Sequence, residues 1–203
     1  MYTTEVSRFS QARFLISAAA PEQFPTDQGA EVAFVGRSNA GKSSAINAIT
    51  QRNALARTSK TPGRTRLLNF FELGTSQRIV DLPGYGYATG SEEERLSWRP
   101  LVDALKTRES LRGLFVIVDS RRGLTEGDEA LLAWADGLRV HVLLSKADKL
   151  NRGESAKVLR ETKAALRERA TAQLFSATAK TGVEEAQRTL VAWLEELTGR
   201  GPP

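Results

Sequence analysis

The sequence predicts an α/β fold: a mostly parallel sheet of about six strands with one antiparallel edge strand, and helices on both faces. Three observations carry this expectation. Short, nearly continuous apolar runs recur along the chain, as in strands covered on both faces. Amphipathic stretches alternate with them, the pattern of an open α/β sheet. Finally, an extended run over residues 66–73 meets another over 77–81 through Gly74-Thr75-Ser76, which reads as an antiparallel pair at an edge.

In chain order, residues 1–28 are the least regular. Phe9, Phe14, Leu15, Ile16 and Phe24 mark them as an N-terminal extension that packs on the domain, which is expected to span 29–203. Strands are expected at 32–35, 66–73, 77–81, 114–119, 140–145 and 173–176. A helix over 43–50 follows a Gly-Lys pair. Another is expected over 91–107, opened by Ser91 with Glu92-Glu93-Glu94 in its first turn and kinked or broken at Pro100. A third, over 125–135, starts at Thr125 with Asp128 three residues on, a variant of the capping box. A fourth, over 155–170, is rich in strong helix formers. Val183, Ala186, Leu190, Val191, Leu194 and Leu197 define one face of a last helix. Residues 199–203 read as a frayed tail.

The chain has 203 residues, ample for a core without covalent staples, and it contains no cysteine. That excludes a disulfide scaffold, a cysteine zinc site and a thiol nucleophile. Hydrophobic residues at 40% and charged residues at 26% are ordinary for a folded protein. The apolar runs are too short to span a bilayer and no signal-peptide core is evident, so a cytoplasmic protein is expected. Net charge is +5, a bias that permits an anionic partner without identifying one.

The strongest chemical signal is Gly36-Arg37-Ser38-Asn39-Ala40-Gly41-Lys42-Ser43, a complete G-x-x-x-x-G-K-S between an expected strand and an expected helix. Such a loop turns successive N–H groups into an anion-sized hollow, and the helix behind it adds its positive end. Lys42 then reaches the β- and γ-phosphates, and the Ser43 hydroxyl joins a Mg²⁺ shell. Ser145-Lys146-Ala147-Asp148 ends another strand. A carboxylate at Asp148 can accept from guanine N1–H and the exocyclic amine, a donor pair that adenine lacks, while the Lys146 stem lies over the base. Phe175-Ser176-Ala177 ends the next strand and can place backbone N–H near the guanine carbonyl. Asp81-Leu82-Pro83-Gly84 also ends a strand; Asp81 can hold a Mg²⁺-bound water, and Gly84 can offer its N–H to the γ-phosphate.

Between the first helix and the second strand lies a loop without apolar periodicity, and its threonines could complete the Mg²⁺ shell only with a γ-phosphate present. Residues 52–66 hold Arg52, Arg57, Lys60, Arg64 and Arg66 and no acid, which equals the whole excess charge of +5. A nucleotide-gated contact with an RNA backbone is the expectation that follows. A second basic set, Lys157, Arg160, Lys163, Arg167 and Arg169, is interleaved with Glu154, Glu161 and Glu168 and reads as a solvated helix face.

Taken in order, these motifs resemble those of a P-loop NTPase G domain of the translation-factor class. More narrowly, G-R-S-N-A-G-K-S-S, T-S-K-T-P-G-R-T-R, D-L-P-G-Y-G-Y-A and S-K-A-D-K-L resemble the EngB (YihA/YsxC) family of bacterial ribosome-biogenesis GTPases, from Val6 to Thr198. The resemblance implies GTP and GDP as ligands with Mg²⁺, and switch segments over about 52–66 and 84–95. It puts the Mg²⁺ threonine of the first switch at Thr65 within Gly63, Arg64, Thr65, Arg66 and Leu67, with Lys42 and Thr65 as the catalytic residues and Ser43 and Thr65 as the metal ligands. It further implies a role in large-subunit assembly and an association with division septum formation. The expected partner is the ribosomal large subunit or its precursor, with no membrane or DNA partner, and the expected state is a monomer.

Two departures bear on mechanism. The guanine motif starts with Ser145 where Asn is usual; Asn braces the phosphate loop, and a serine that braced it less would give modest nucleotide affinity. Tyr85 stands where Ras-like enzymes place a water-orienting Gln, and a phenol cannot donate and accept as an amide does, so slow unassisted hydrolysis is expected. Asn39 occupies the position of the ion-binding Asn of potassium-activated GTPases; a K⁺ site and a merely tolerant loop residue are both open there. His141 reads as a packed strand residue rather than a base. A P-loop ATPase or kinase, and a signalling or trafficking GTPase, are the competing functions. The first is opposed by the Ser145–Asp148 motif, and lipid anchoring in the second by the missing C-terminal Cys and by Tyr2.

Overall fold

The computed structural model describes residues 9, 11–56, 67–85 and 99–196. Among these, the strands are β1 (Arg13–Ala18), β2 (Ala30–Gly36), β3 (Leu68–Gly74), β4 (Gln77–Asp81), β5 (Leu111–Asp119), β6 (Val140–Ser145) and β7 (Thr171–Leu174). The helices are α1 (Lys42–Ile49), α2 (Arg99–Lys106), α3 (Glu126–Trp134), α4 (Arg152–Leu166) and α5 (Val183–Glu195). The strands form one sheet in the order β1-β3-β4-β2-β5-β6-β7. β2 pairs in parallel with β4 and β5, and β6 in parallel with β5 and β7. β3 is antiparallel to both β1 and β4 and is therefore the one strand running against the rest.

Alternation along the central strands sorts the core onto two faces. Val32 and Phe34 of β2, with Phe115 and Ile117 of β5, pack beneath α1 and α5. Ala33 and Val35, with Leu114, Val116 and Val118, pack beneath α2, α3 and α4. Phe34 stacks on Phe115 at 4.8 Å between ring centroids, and Trp193 of α5 closes over Phe115 at 5.2 Å. Gly113 is what lets that indole approach, since a β-carbon there would sit 2.5 Å from it.

The expected sheet is present with one strand more. β1 comes from the N-terminal segment and covers β3, so the reversed strand lies one place in from the edge. Its sequence hides it: the apolar run is only three residues long, Phe14, Leu15 and Ile16 between Arg13 and Ser17, and these are 55%, 42% and 36% exposed rather than buried like the core runs. β7 begins two residues before the expected 173. Its register on β6 sets His141 against Thr171, and the imidazole holds Thr171 Oγ1 at 2.6 Å and Gln173 Oε1 at 2.9 Å. Helix α4 starts at Arg152 rather than 155, because Asn151 and Glu154 form a reciprocal capping box. It stops at Leu166, where Arg167 turns to φ 52°. The Thr125–Asp128 box at the start of α3 is as expected, as is the buried face of α5 at Val183, Ala186, Leu190, Val191 and Leu194. The first half of the helix expected over 91–107, Leu197 and the tail lie outside the described residues.

At the N-terminal ends of the strands, Glu31 is fully buried and takes Arg78 Nη1 at 2.7 Å and Arg108 Nε and Nη2 at 2.7 and 2.8 Å. This cluster ties β2, β4 and the chain after α2 at the end of the sheet opposite the motif loops.

Candidate functional site

The parallel strands deliver their C-terminal ends to one rim. β2 enters the loop 37–41, β4 ends at Asp81, β5 at Asp119, β6 at Ser145, and β7 leads into Phe175-Ser176-Ala177. Gly36 is required where β2 leaves the sheet, because a β-carbon there would lie 2.6 Å from the Ile117 carbonyl oxygen. Asn39 and Gly41 take φ 65° and 101°, which turn the chain back into α1. Helix α1 starts at Lys42 with no acid in its first turn and no side-chain cap, so its positive end is left uncompensated.

The D-x-x-G segment is stitched to this loop. Ser38 N–H donates to the Tyr85 carbonyl at 2.9 Å and Tyr85 N–H to the Gly36 carbonyl at 3.3 Å. Gly84 fits flat against Ser38, whose Oγ, Cα and N would lie 3.0–3.3 Å from any β-carbon. Lys42 Nζ donates to Asp81 Oδ1. Burial raises the Asp81 carboxyl above the usual aspartate range, against the pull of the Lys42 ammonium and a hydrogen bond from Asn69. Asn69 lies opposite Asp81 in the β3–β4 ladder, and its amide oxygen accepts from Ser17 Oγ on β1 at 2.6 Å. The Tyr85 hydroxyl donates to Asp128 Oδ1 on α3. Burial first, then the Asp128 carboxylate, raises the phenol well beyond its ordinary value and keeps it protonated.

On the other side stands the S-K-A-D segment. Ser145, buried, directs Oγ to the Ala40 carbonyl of the phosphate loop and to the Val118 carbonyl at 3.1 Å. Serine thus braces the phosphate loop by a direct contact. Lys146, at φ 59°, sends Nζ to the Asn39 carbonyl at 2.7 Å and to Asp119 Oδ2 at 2.8 Å. Ala147 N–H donates to the Phe175 carbonyl at 3.1 Å, which joins this segment to the next. Asp148 Oδ1 accepts from Ser176 Oγ at 2.6 Å, and that bond, with Lys149 nearby, lowers its carboxyl below the usual range. Ser176 Oγ also accepts from Ala179 N–H at 3.0 Å, which shapes the loop carrying Ala177. Phe175 itself is buried in the core.

The structure therefore gathers Gly36 to Ser43, Asp81 to Gly84, Ser145 to Asp148 and Phe175 to Ala177 on one rim. Leu67 precedes β3. Gly63, Arg64, Thr65 and Arg66 lie outside the described residues, as do Arg57, Lys60 and residues 86–95 of the second expected switch. His141 is buried in β6 away from this rim, as expected. Three polar partners escaped the sequence reading: Asp119, Asn69 and Asp128. Of these only Asp119 carried a signal, an acid closing an apolar run and aligned with Ser145 across β5 and β6. A cleft of about 250 Å³ runs beside the loop between Arg37–Ala40, Asp119, Arg121, Arg122 and Lys146.

A loop of converging N–H groups with a lysine at its base can hold a polyphosphate, and an exposed carboxylate fixed by a neighbouring serine can read a base edge. Comparison with known proteins agrees. Residues 31–146 match the model of a family described as 50S ribosome-binding GTPase. A Coxiella burnetii protein named "Probable GTP-binding protein EngB" is 49% identical over 191 residues, covering 91% of this chain and 93% of the relative. One of the same name from Azoarcus sp. is 47% identical over 200 residues, covering 95% and 96%. Among solved structures, an engB crystal structure aligns with TM-score 0.63 and 22% identity over 81% of this chain and 98% of that one. Era bound to MgGDPNP and a 16S ribosomal RNA fragment aligns with TM-score 0.62 and 19% identity over 87% of this chain and 59% of that one.

Proposed function

The chain belongs to the EngB family of GTP-binding proteins, among the 50S ribosome-binding GTPases, and from that premise we propose that it is a guanine-nucleotide switch acting in assembly of the large ribosomal subunit. One observation carries this reading: the phosphate loop, the D-x-x-G segment and the S-K-A-D segment converge on a single rim and are hydrogen-bonded to one another through Tyr85 and Ser145. GTP would lie with its phosphates over residues 37–43 and its base between Lys146, Asp148 and Ala177.

The donor set suits a hard cation: the Ser43 hydroxyl, a buried Asp81 carboxylate and the Thr65 hydroxyl expected in the switch. Mg²⁺ bound there would supply charge neutralisation between the β- and γ-phosphates. The protein's own part is to hold the phosphates with loop N–H groups and Lys42, and to bring Gly84 and Thr65 to the γ-phosphate. Lys42 must exchange Asp81 for phosphate oxygens when nucleotide enters. Unassisted hydrolysis is slow in this reading, because the residue after Gly84 is a phenol engaged with Asp128 and is not free to orient water. The partner then supplies the stimulation.

That partner is the 50S particle or its precursor, met through the basic segment 52–66 in the GTP-bound state. A cytoplasmic location and a role in septum formation complete the proposal. Cosedimentation of the full chain with 50S particles, with GTP or GDP and at rising salt, tests it. Binding that needs GTP and weakens with salt is the expected result, and neutralising Arg52 and Arg57 should flatten the salt dependence while leaving GTP affinity intact. Failure to sediment with mature or immature particles overturns the ribosomal role, and displacement of GTP by ATP overturns the guanine reading.

A further inference from the structure

Asp119 lies at the end of β5, outside all the nucleotide motifs, yet its carboxylate holds a side chain from one of them. Its Oδ2 accepts from Lys146 Nζ at 2.8 Å. Arg121 grips the same carboxylate from the other side, with Nε at 2.9 Å from Oδ1 and Nη2 at 2.6 Å from Oδ2, and its backbone N–H reaches Oδ1 at 3.1 Å. The Asp119 carboxylate is 9% exposed and so is less hydrated than a surface acid, while Arg121 and Lys146 reach it from the solvent side.

The consequence falls on Lys146. A lysine stem has four rotatable bonds, and ordering it over a base costs conformational entropy when the ligand binds. Here the ammonium is already fixed between two acceptors, Asp119 and the Asn39 carbonyl. The backbone end is fixed too, by the left-handed turn at φ 59°. The stem is thereby stretched across the place where the base would stack before any base arrives.

We propose that Asp119, clamped by Arg121, is a positioning residue for guanine-nucleotide binding: it pre-orders Lys146 against the phosphate loop. The inference rests on the reading of this rim as a guanine-nucleotide site. It differs from a purely structural role for Asp119, in which the carboxylate only shapes the turn after β5.

The test is the dissociation of fluorescent GDP and GTP analogues from the full chain carrying Asp119→Asn, Lys146→Ala, or both. Asp119→Asn should release both nucleotides faster, by about tenfold, and equally, because Lys146 acts at the base and not at the γ-phosphate. In the Lys146→Ala background the same change should add nothing. Wild-type release from Asp119→Asn overturns the proposal, and so does an undiminished loss in the double variant, which would assign Asp119 to the turn alone. Should Asp119→Asn fail to fold, Arg121→Gln carries the test on an exposed side chain: release about twofold to threefold faster is expected, and no change overturns the clamp. If the unaltered chain binds no guanine nucleotide, the reading of the rim itself fails, a result separate from normal binding by Asp119→Asn.

Discussion

The hydroxyl of Tyr85 is bonded to Asp128, the same carboxylate whose other oxygen takes Thr125 N–H at 2.8 Å and Thr125 Oγ1 at 2.6 Å in the cap of helix α3. The residue that follows D-x-x-G is therefore tied by its side chain to α3 and by its backbone to the phosphate loop. Tyr85→Phe removes only the first tie. The basal hydrolysis rate should stay within about twofold, while stability falls by about 1 kcal/mol. Single-turnover hydrolysis beside thermal unfolding checks both; a tenfold fall in rate would give the phenol a part in the chemistry.

Ser145→Ala removes a buried hydroxyl and leaves the Ala40 carbonyl without that donor. The phosphate loop serves GTP and GDP alike, so both affinities should fall by a similar factor, about three- to tenfold. Titration with each nucleotide measures it. A loss confined to GTP would contradict a brace that acts on the loop.

Asn39 takes φ 65°, a conformation asparagine tolerates better than most residues, and its carbonyl serves Lys146. The loop's shape thus accounts for an asparagine here without any ion. If its side chain also holds K⁺, turnover in KCl should exceed that in NaCl, and Asn39→Ala should abolish the difference. Equal rates in the two salts would leave the backbone as the whole reason for Asn39.

Glu31→Gln strips the carboxylate from Arg78 and Arg108 at the buried end of β2. The two guanidiniums lose their buried counter-charge and keep only backbone carbonyls and, for Arg108, Asp27 at 3.8 Å, so a loss of roughly 3 kcal/mol in unfolding free energy is expected. Chemical denaturation measures it. The site is at the other end of the sheet, so the folded variant should keep its nucleotide affinity.

His141 gives the fold a pH dependence. Burial lowers its imidazole below the ordinary 6.5, outweighing the pull of Gln173 and Glu185, while Lys163 acts with burial. The unfolded chain therefore takes up a proton before the folded one does. The stabilisation is present above about pH 6.5 and is lost as pH falls below it. Thermal midpoints between pH 7.5 and 5 should fall for the unaltered chain and less steeply for His141→Gln.

The motif loops and the core strands were legible because each is written in consecutive residues: a glycine-rich turn after an apolar run, an aspartate or serine where the run ends. What stayed hidden is written across the sheet. Nothing adjacent to Asp119 in sequence announces Lys146, and Asn69 looks like an ordinary polar residue in a strand until the hairpin register sets it opposite Asp81. β1 stays hidden for a related reason, since its pairing with β3 relies on backbone groups and most of its side chains face solvent. The cap at Asn151 was readable from Asn-x-x-Glu, but the helix formers after it drew the expected start three residues too far on.

The amide of Asn69 has two ends of nearly the same shape and opposite polarity. The Asp81 carboxylate only accepts and so takes the nitrogen end, while Ser17 Oγ donates to the oxygen end at 2.6 Å and holds it there. The edge strand thus steadies, from one strand away, the side-chain dipole that faces Asp81 on the next strand in. A chain shortened past Ser17 would lose more than a strand: the Asn69 amide would lose the partner of its oxygen end, and its hold beside the carboxylate that pairs with Lys42 would loosen. Shortened or N-terminally fused forms of this protein should therefore differ in metal-dependent nucleotide affinity even when their folds agree.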